Sequence, residues 1–220
     1  MWDDESVSRP APDFDRMYAQ DGDPWQVATS WYERRKIAVA AACLSESAYG
    51  RALDPACGTG HLVRAVAPRC TAVLACDASG PAIGSAGDTC AELTNVTLEV
   101  RRLPYPPARP EPGSARTDGA VHPPARGLFD LLLLSEFLYY LDAAARRAAL
   151  ASLLPLLDTR VEVLAVHWRE QPEDGTCSGD HIHEELRRFF GERGFRHQVA
   201  HFDEEFVLDV FTRGHDRYSG

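Results

Sequence analysis

The sequence predicts an α/β fold: a doubly wound, seven-stranded, mostly parallel sheet that ends in an antiparallel C-terminal hairpin. Three observations predict it. Apolar strand-like runs alternate with helix-like segments, the order expected of successive β-α-β units. One run, FDLLLLSEF (129–137), has an unbroken apolar centre, as a parallel strand covered on both faces requires. The last two strand patterns are separated only by DEE (203–205), a connection short enough only for an antiparallel hairpin.

Taken in order, residues 1–22 are expected to form a loose N-terminal segment, and 23–220 a single domain. Residues 26–44 read as a helix, with good helix formers and apolar residues recurring at Val27, Trp31, Ile37 and Ala41. Arg51–Ala56 is a short apolar strand that runs into a glycine turn, and 60–67 is helical. Ala72–Cys76 is a buried strand closed by Asp77, and 79–92 is a helix weakened by Gly84 and Gly87. Val96–Arg102 alternates as a third strand. Residues 104–127 carry seven prolines and three glycines, so neither a ladder nor a helix can persist there. The pattern resumes directly afterwards, which marks an insertion loop within one domain. After the 129–137 strand come a helix (142–157), a fifth strand (160–167), a helix (181–191), and the strands 196–202 and 206–213.

A chain of 220 residues, 45% hydrophobic and 25% charged, suits one domain with a sizeable core. No apolar run approaches the roughly 18 residues of a membrane span. The acidic start MWDDESVSRPAPDF is wrong for a signal peptide, so the expected location is the cytoplasm. Six cysteines without CxxC spacing read as reduced thiols. The formal net charge of −10 lacks the basic footprint of a phosphate binder. That argues against nucleic acid and for a small-molecule partner. Lys36 is the only lysine among 23 Lys and Arg residues. In so alanine-rich a chain, this reads as GC-rich coding and not as a functional signal.

The strongest motif is LDPACGTGHL (53–62). Its glycines let backbone approach a ligand where a Cβ would collide, and the helix opening near Gly60 points free N–H groups at that ligand. Such turns suit nucleotide-like cofactors at the carboxyl edge of a sheet. A dinucleotide fingerprint needs a third glycine, and Val63 stands in its place. Asp54 precedes the first glycine by four residues, and Asp77 ends the next strand, where an acid commonly grips ribose hydroxyls. The plain alternative is a tight turn without a ligand; the acids on either side of the glycines favour the ligand.

On these residues the sequence resembles the class I S-adenosylmethionine-dependent methyltransferases. Asp54-x-x-x-Gly58-x-Gly60 is similar to their first motif, Asp77 to their second-strand acid, and Asp130 through Glu136 to their strand-four motif. The resemblance spans about residues 25–213. It implies a Rossmann-like methyltransferase fold, S-adenosylmethionine as cofactor and S-adenosylhomocysteine as product. The cofactor residues it implies are Asp54, Pro55, Ala56, Cys57, Gly58 and Gly60 in the first loop, with Asp77, Ala78, Ser135 and Trp25 around it. The third strand of the family usually brings an Asp or Asn to the adenine, but here the stretch is VRRLP, so backbone around Arg102 and Leu103 takes that place. DPWQVATSWYERRK (23–36) and SEFLYYLD (135–142) further resemble the nodulation-type (NodS-like) sugar N-methyltransferases. That likeness implies a small-molecule acceptor, the amine of an amino sugar or a related metabolite. The rivals are an NAD(P)-dependent oxidoreductase, a non-catalytic S-adenosylmethionine-binding module, and a macromolecular methyltransferase. The missing third glycine and the hairpin disfavour the first; the negative charge disfavours the last.

On the acceptor side, Trp25 and Tyr32 are seven apart and share one face if both are helical. Both could pack their helix onto the sheet, or wall the sulfonium. Glu33 and Arg34 read as solvated or paired. Glu136 ends a buried strand where open sheets bind ligands, and Tyr139 is expected to face the pocket. His167 ends the fifth strand, and His183 lies on the first turn of a helix capped by Asp180. His181 and His183 point about 200° apart on a helix, which argues against a metal site. His167 or His183 is therefore the expected base, with Glu136 and Tyr139 orienting the acceptor.

Overall fold

The computed structural model describes residues 12–105 and 129–214. Nearly all of the proline-rich stretch therefore lies outside the described residues. The chain opens with two helices, α1 (Phe14–Gln20) and α2 (Trp31–Cys43). There follow β1 (Tyr49–Asp54), α3 (His61–Val66), β2 (Cys70–Asp77), α4 (Gly80–Thr89) and β3 (Val96–Val100). After the undescribed stretch come β4 (Phe129–Ser135), α5 (Ala143–Leu153), β5 (Leu157–Trp168), α6 (Gly179–Gly191), β6 (Arg196–Phe202) and β7 (Phe206–Arg213).

The seven strands form one sheet in the order β3-β2-β1-β4-β5-β7-β6. Each neighbouring pair from β3 to β5 is parallel. β7 slots between β5 and β6 and runs antiparallel to both, so six strands share one direction. The chain starts at β1, winds outward through β2 and β3, then returns to lay β4 on the other side of β1. The strand order reverses at that point, and the crevice at the carboxyl ends of β1 and β4 is where such sheets hold ligands.

The pleat divides the core between the two faces. Leu131 and Leu133 of β4 point toward α2 and α3, with Leu164 and Val166 of β5 beside them. Leu132 and Leu134 point the other way, toward α5 and α6, with Val163 and Ala165 beside them. Both sets are essentially inaccessible to solvent, as expected of a strand that reads as a continuous apolar run. α6 turns Ile182, Leu186 and Phe190 inward at helical spacing.

Three expectations need correction. The segment expected to be loose contains α1, capped by Asp13 accepting from the Arg16 N–H at 3.1 Å. The helix expected from residue 26 begins at Trp31. Asp23 is the cause: its two carboxylate oxygens accept from the N–H groups of Val27 and Ala28, both at 2.8 Å, and hold 23–30 as a turn. Trp25 therefore lies outside α2, and the shared helical face with Tyr32 does not exist. The N-cap of α6 is Ser178, not Asp180, and its hydroxyl accepts from the His181 N–H at 3.3 Å.

Candidate active site

The carboxyl ends of β1, β2, β4 and β5 converge on a cavity of about 540 Å³. Its floor is the glycine turn. Gly58 and Gly60 adopt φ of +51° and +80°, a region that side chains rarely enter. A Cβ on Gly60 would lie 3.1 Å from the Ala86 Cβ, so the third residue of the GTG turn must be small for α3 to seat against α4. A Cβ on Gly58 would lie 2.9 Å from the Tyr18 hydroxyl, on the cavity side. Val63, where a dinucleotide binder has its third glycine, is wholly buried.

Two acids frame this turn. Asp77 accepts from the Gly58 N–H and the Ser79 N–H, both at 2.9 Å, which ties the turn after β1 to the end of β2. Burial raises its carboxyl above the usual range, and these N–H bonds pull the other way. Asp54 is fully buried; burial pushes its carboxyl up to about 7, against the pull of its bond from the Ala56 N–H. On the β3 side, the Arg101 N–H donates to the Asp77 carbonyl at 2.8 Å and its guanidinium pairs with Glu99 at 2.5 Å. Arg102 and Leu103 then line the cavity beside it.

The opposite end of the cavity is charged and aromatic. Glu136 follows β4 with φ +60°, uncommon for a residue with a Cβ, and its N–H donates to the Val166 carbonyl at 3.1 Å. Its carboxylate accepts from the Trp168 N–H at 3.0 Å, from Lys36 Nζ at 2.5 Å and from the Tyr139 hydroxyl. Lys36 also donates to Glu33 at 2.8 Å and lies 4.6 Å from the centre of the Tyr32 ring. Burial disfavours the Lys36 ammonium, but Glu136 and Glu33 outweigh it and hold the group above its ordinary range. The Tyr32 hydroxyl is buried and has no hydrogen-bond partner among the described residues. Phe14 and Tyr18 of α1 close the roof, with Trp25 packed on Tyr18 at 5.4 Å and Phe14 on Tyr140 at 5.2 Å.

Solved structures share this architecture. A candidate methyltransferase from Pseudomonas syringae is 29% identical, with 84% of this chain and 100% of that one covered and a TM-score of 0.64. The N-methyltransferase NodS from Bradyrhizobium japonicum WM9, crystallised with S-adenosylhomocysteine, is 19% identical over 91% of this chain and 96% of that one, with a TM-score of 0.70. The 1,6-didemethyltoxoflavin-N1-methyltransferase of Burkholderia thailandensis, with its substrate and S-adenosylhomocysteine bound, is 16% identical over 91% and 85%, with a TM-score of 0.63.

The fold is that of the S-adenosylmethionine-dependent methyltransferases.

No protein-family model matches the chain, and no curated protein does.

Within this methyltransferase fold, eleven of the twelve residues expected around the cofactor line the cavity: Asp54 to Gly58 in the loop, with Asp77, Ala78, Arg102, Leu103, Ser135 and Trp25; Gly60 does not, and lies instead against Ala86 and Cys90. Glu136 and Tyr139 line it as well. His167 and His183 do not, which corrects the expectation for both. Along β5, which runs to Trp168, the pleat sends Val166 and Trp168 to the cavity and His167, between them, toward α6. There its Nδ1 meets His183 Nε2 at 3.1 Å, and His183 Nδ1 meets Asp209 Oδ2 at 2.8 Å. Both imidazoles are fully buried, and burial, with His183 alongside, holds His167 well below the usual imidazole range. Arg187 and His197 complete the partners of Asp209. This is a structural network. His183→Leu is expected to cost about 3 kcal/mol of stability, the scale for breaking a buried pair, while kcat stays unchanged well below the melting temperature. Thermal denaturation and initial rates on the same sample check both halves.

His181 is exposed and pairs with Glu185 at 3.3 Å, on the far side of α6 from His183. Among the described residues no group of three His, Cys, Asp or Glu is placed to hold a metal. No described helix is long and apolar enough to cross a membrane.

Sequence reasoning missed Lys36. It is 3% exposed at the charged, aromatic end of the cavity. The signal was present: a lone lysine in a chain that otherwise uses arginine. Coding bias explains the arginines and leaves the exception unexplained.

Proposed function

We propose that this chain transfers a methyl group from S-adenosylmethionine to the amine of a small hydroxylated acceptor, an amino sugar or a related metabolite. The observation that carries the reading is the Glu136 carboxylate, fixed by three donors beside Glu33 in an aromatic cavity that adjoins the glycine turn. Two carboxylates that share the single Lys36 ammonium leave one negative charge in excess among the aromatic rings, which favours a cation. The free Tyr32 hydroxyl suits an acceptor that also carries hydroxyl groups.

The residues of the turn fit the cofactor. The positive-φ glycines leave backbone open to it, Asp77 is placed for ribose hydroxyls, and the rings of Trp25, Tyr18 and Phe14 give a water-poor roof. Bound S-adenosylmethionine supplies an activated methyl on a sulfonium, so alignment and desolvation provide much of the rate. Glu136 takes a proton from the acceptor ammonium and leaves the nitrogen lone pair free to attack. Tyr139 donates to the same carboxylate and fixes its plane. The role expected of a histidine thus passes to Glu136.

Asp54 adds a pH dependence. A protonated Asp54 must ionise to pair with the α-ammonium of the ligand, so binding of S-adenosylhomocysteine is expected to strengthen as pH rises through about 7 and to release a proton. Calorimetry in buffers of different ionisation enthalpy reads that proton, and Asp54→Asn is expected to abolish it.

The reading itself is tested by mass spectrometry of glucosamine and glucose incubated with enzyme and S-adenosylmethionine. A methyl gain on glucosamine nitrogen alone is the expected result. Methylation confined to oxygen contradicts it.

A further inference from the structure

We propose that Lys36 is a positioning residue of this transfer: its ammonium pins the Glu136 carboxylate at the acceptor end of the cavity by bridging it to Glu33. The inference rests on the amine-methylation reading above and extends it to a residue that need not touch either substrate.

The geometry is specific. Glu33 and Lys36 stand one helical turn apart on α2, so they meet side by side on the face turned to the cavity. Nζ lies 2.8 Å from Glu33 and 2.5 Å from Glu136, across 100 residues of sequence. Glu136 sits on a positive-φ corner directly after a strand, where its backbone cannot relax without losing the bond to the Val166 carbonyl. Its carboxylate direction is therefore set by what its oxygens meet. One oxygen takes the Trp168 N–H and the Tyr139 hydroxyl; the other takes, among the described residues, Lys36.

The charges agree. Glu33 and Glu136 are two anions in one partly enclosed site, with Asp23 adding to the field at Glu33. Burial already raises the Glu33 carboxyl. Lys36 is the cation that lets both carboxylates stand together; Tyr32 and Tyr139 are the other titratable groups facing it, and His167 lies behind. Without it the pair repels, and Glu136 turns away or keeps a proton. Residue choice points the same way. A compact ammonium with rotatable donors can bridge two carboxylates that are not coplanar, whereas a planar guanidinium fork matches one carboxylate face-on. The chain uses arginine at every other one of its 23 Lys and Arg positions.

Because Lys36 is the only lysine, lysine labelled with carbon-13 at the ε-methylene gives one protein signal, and that signal reports this site alone. In the full chain saturated with S-adenosylhomocysteine, Glu33→Gln and Glu136→Gln are each expected to move it. A signal that ignores Glu136→Gln overturns the bridge, whatever the acceptor is. The kinetic arm uses Lys36→Met with glucosamine. We expect kcat to fall by about 30-fold or more, with S-adenosylhomocysteine affinity within about threefold of wild type. We also expect the Lys36→Met, Glu136→Gln double variant to be no slower than Glu136→Gln alone, because the lysine acts only through that carboxylate. Losses that multiply in the double variant, or a Lys36→Met enzyme with wild-type kcat, overturn the proposal. If wild type methylates only hydroxyl acceptors, the amine reading fails, and the same two ratios on that acceptor decide the role of Lys36.

Discussion

Glu136→Gln is expected to lower kcat for an amine acceptor by about 10²–10⁴-fold, the range for removing a general base. Glutamine keeps the length of the side chain and an acceptor for the Trp168 N–H, so the corner after β4 should survive. What it loses is the charge that takes the proton. S-adenosylhomocysteine affinity is expected to stay within about threefold, because the cofactor cradle is built from the other end of the cavity. Initial rates beside calorimetry on the same variant separate the two effects. A parallel loss of cofactor affinity and rate would place Glu136 in the cofactor site and remove it from the chemistry. Full retention of rate would show that the acceptor needs no carboxylate to accept its proton.

Asp77→Ala is the second large effect. Asp77 holds the Gly58 and Ser79 N–H groups and is placed for two ribose hydroxyls. Hydrogen bonds to a charged group contribute about 1.5–3 kcal/mol each, so losing the two to ribose should weaken S-adenosylhomocysteine binding by about 10²–10⁴-fold. The glycine turn also loses its tether to β2, so the melting temperature of the free protein is expected to change as well. Calorimetric titration measures the first effect and thermal denaturation the second. Affinity within about fivefold of wild type would mean that the ribose lies elsewhere.

Much of the fold was legible because the apolar pattern is strong where burial is complete. β6 and β7 match their expected bounds, Arg196–Phe202 and Phe206–Arg213, since turn residues close both ends. The glycine turn and the acids after β1 and β2 were legible because few residue types can serve there. α1 was not, because none of its residues is buried; it gains its place by roofing a cavity and not by filling the core. The start of α2 was misplaced because a single carboxylate, Asp23, diverts two backbone N–H groups, a local bond that periodicity does not show. The histidines failed on parity. Val166 and Trp168 face the cavity, so the pleat turns His167, between them, to the α6 face. Lys36 was hidden for a different reason: its partner Glu136 lies 100 residues away, a contact that neither composition nor helical spacing shows.

The most direct test of the cofactor site is calorimetric titration of the wild-type chain with S-adenosylhomocysteine and, separately, with NAD. Every step described here needs the first ligand to fill the cavity between the glycine turn and Glu136. Saturable one-site binding of S-adenosylhomocysteine, with no heat from NAD, is the expected result. Binding of NAD without binding of S-adenosylhomocysteine would contradict it.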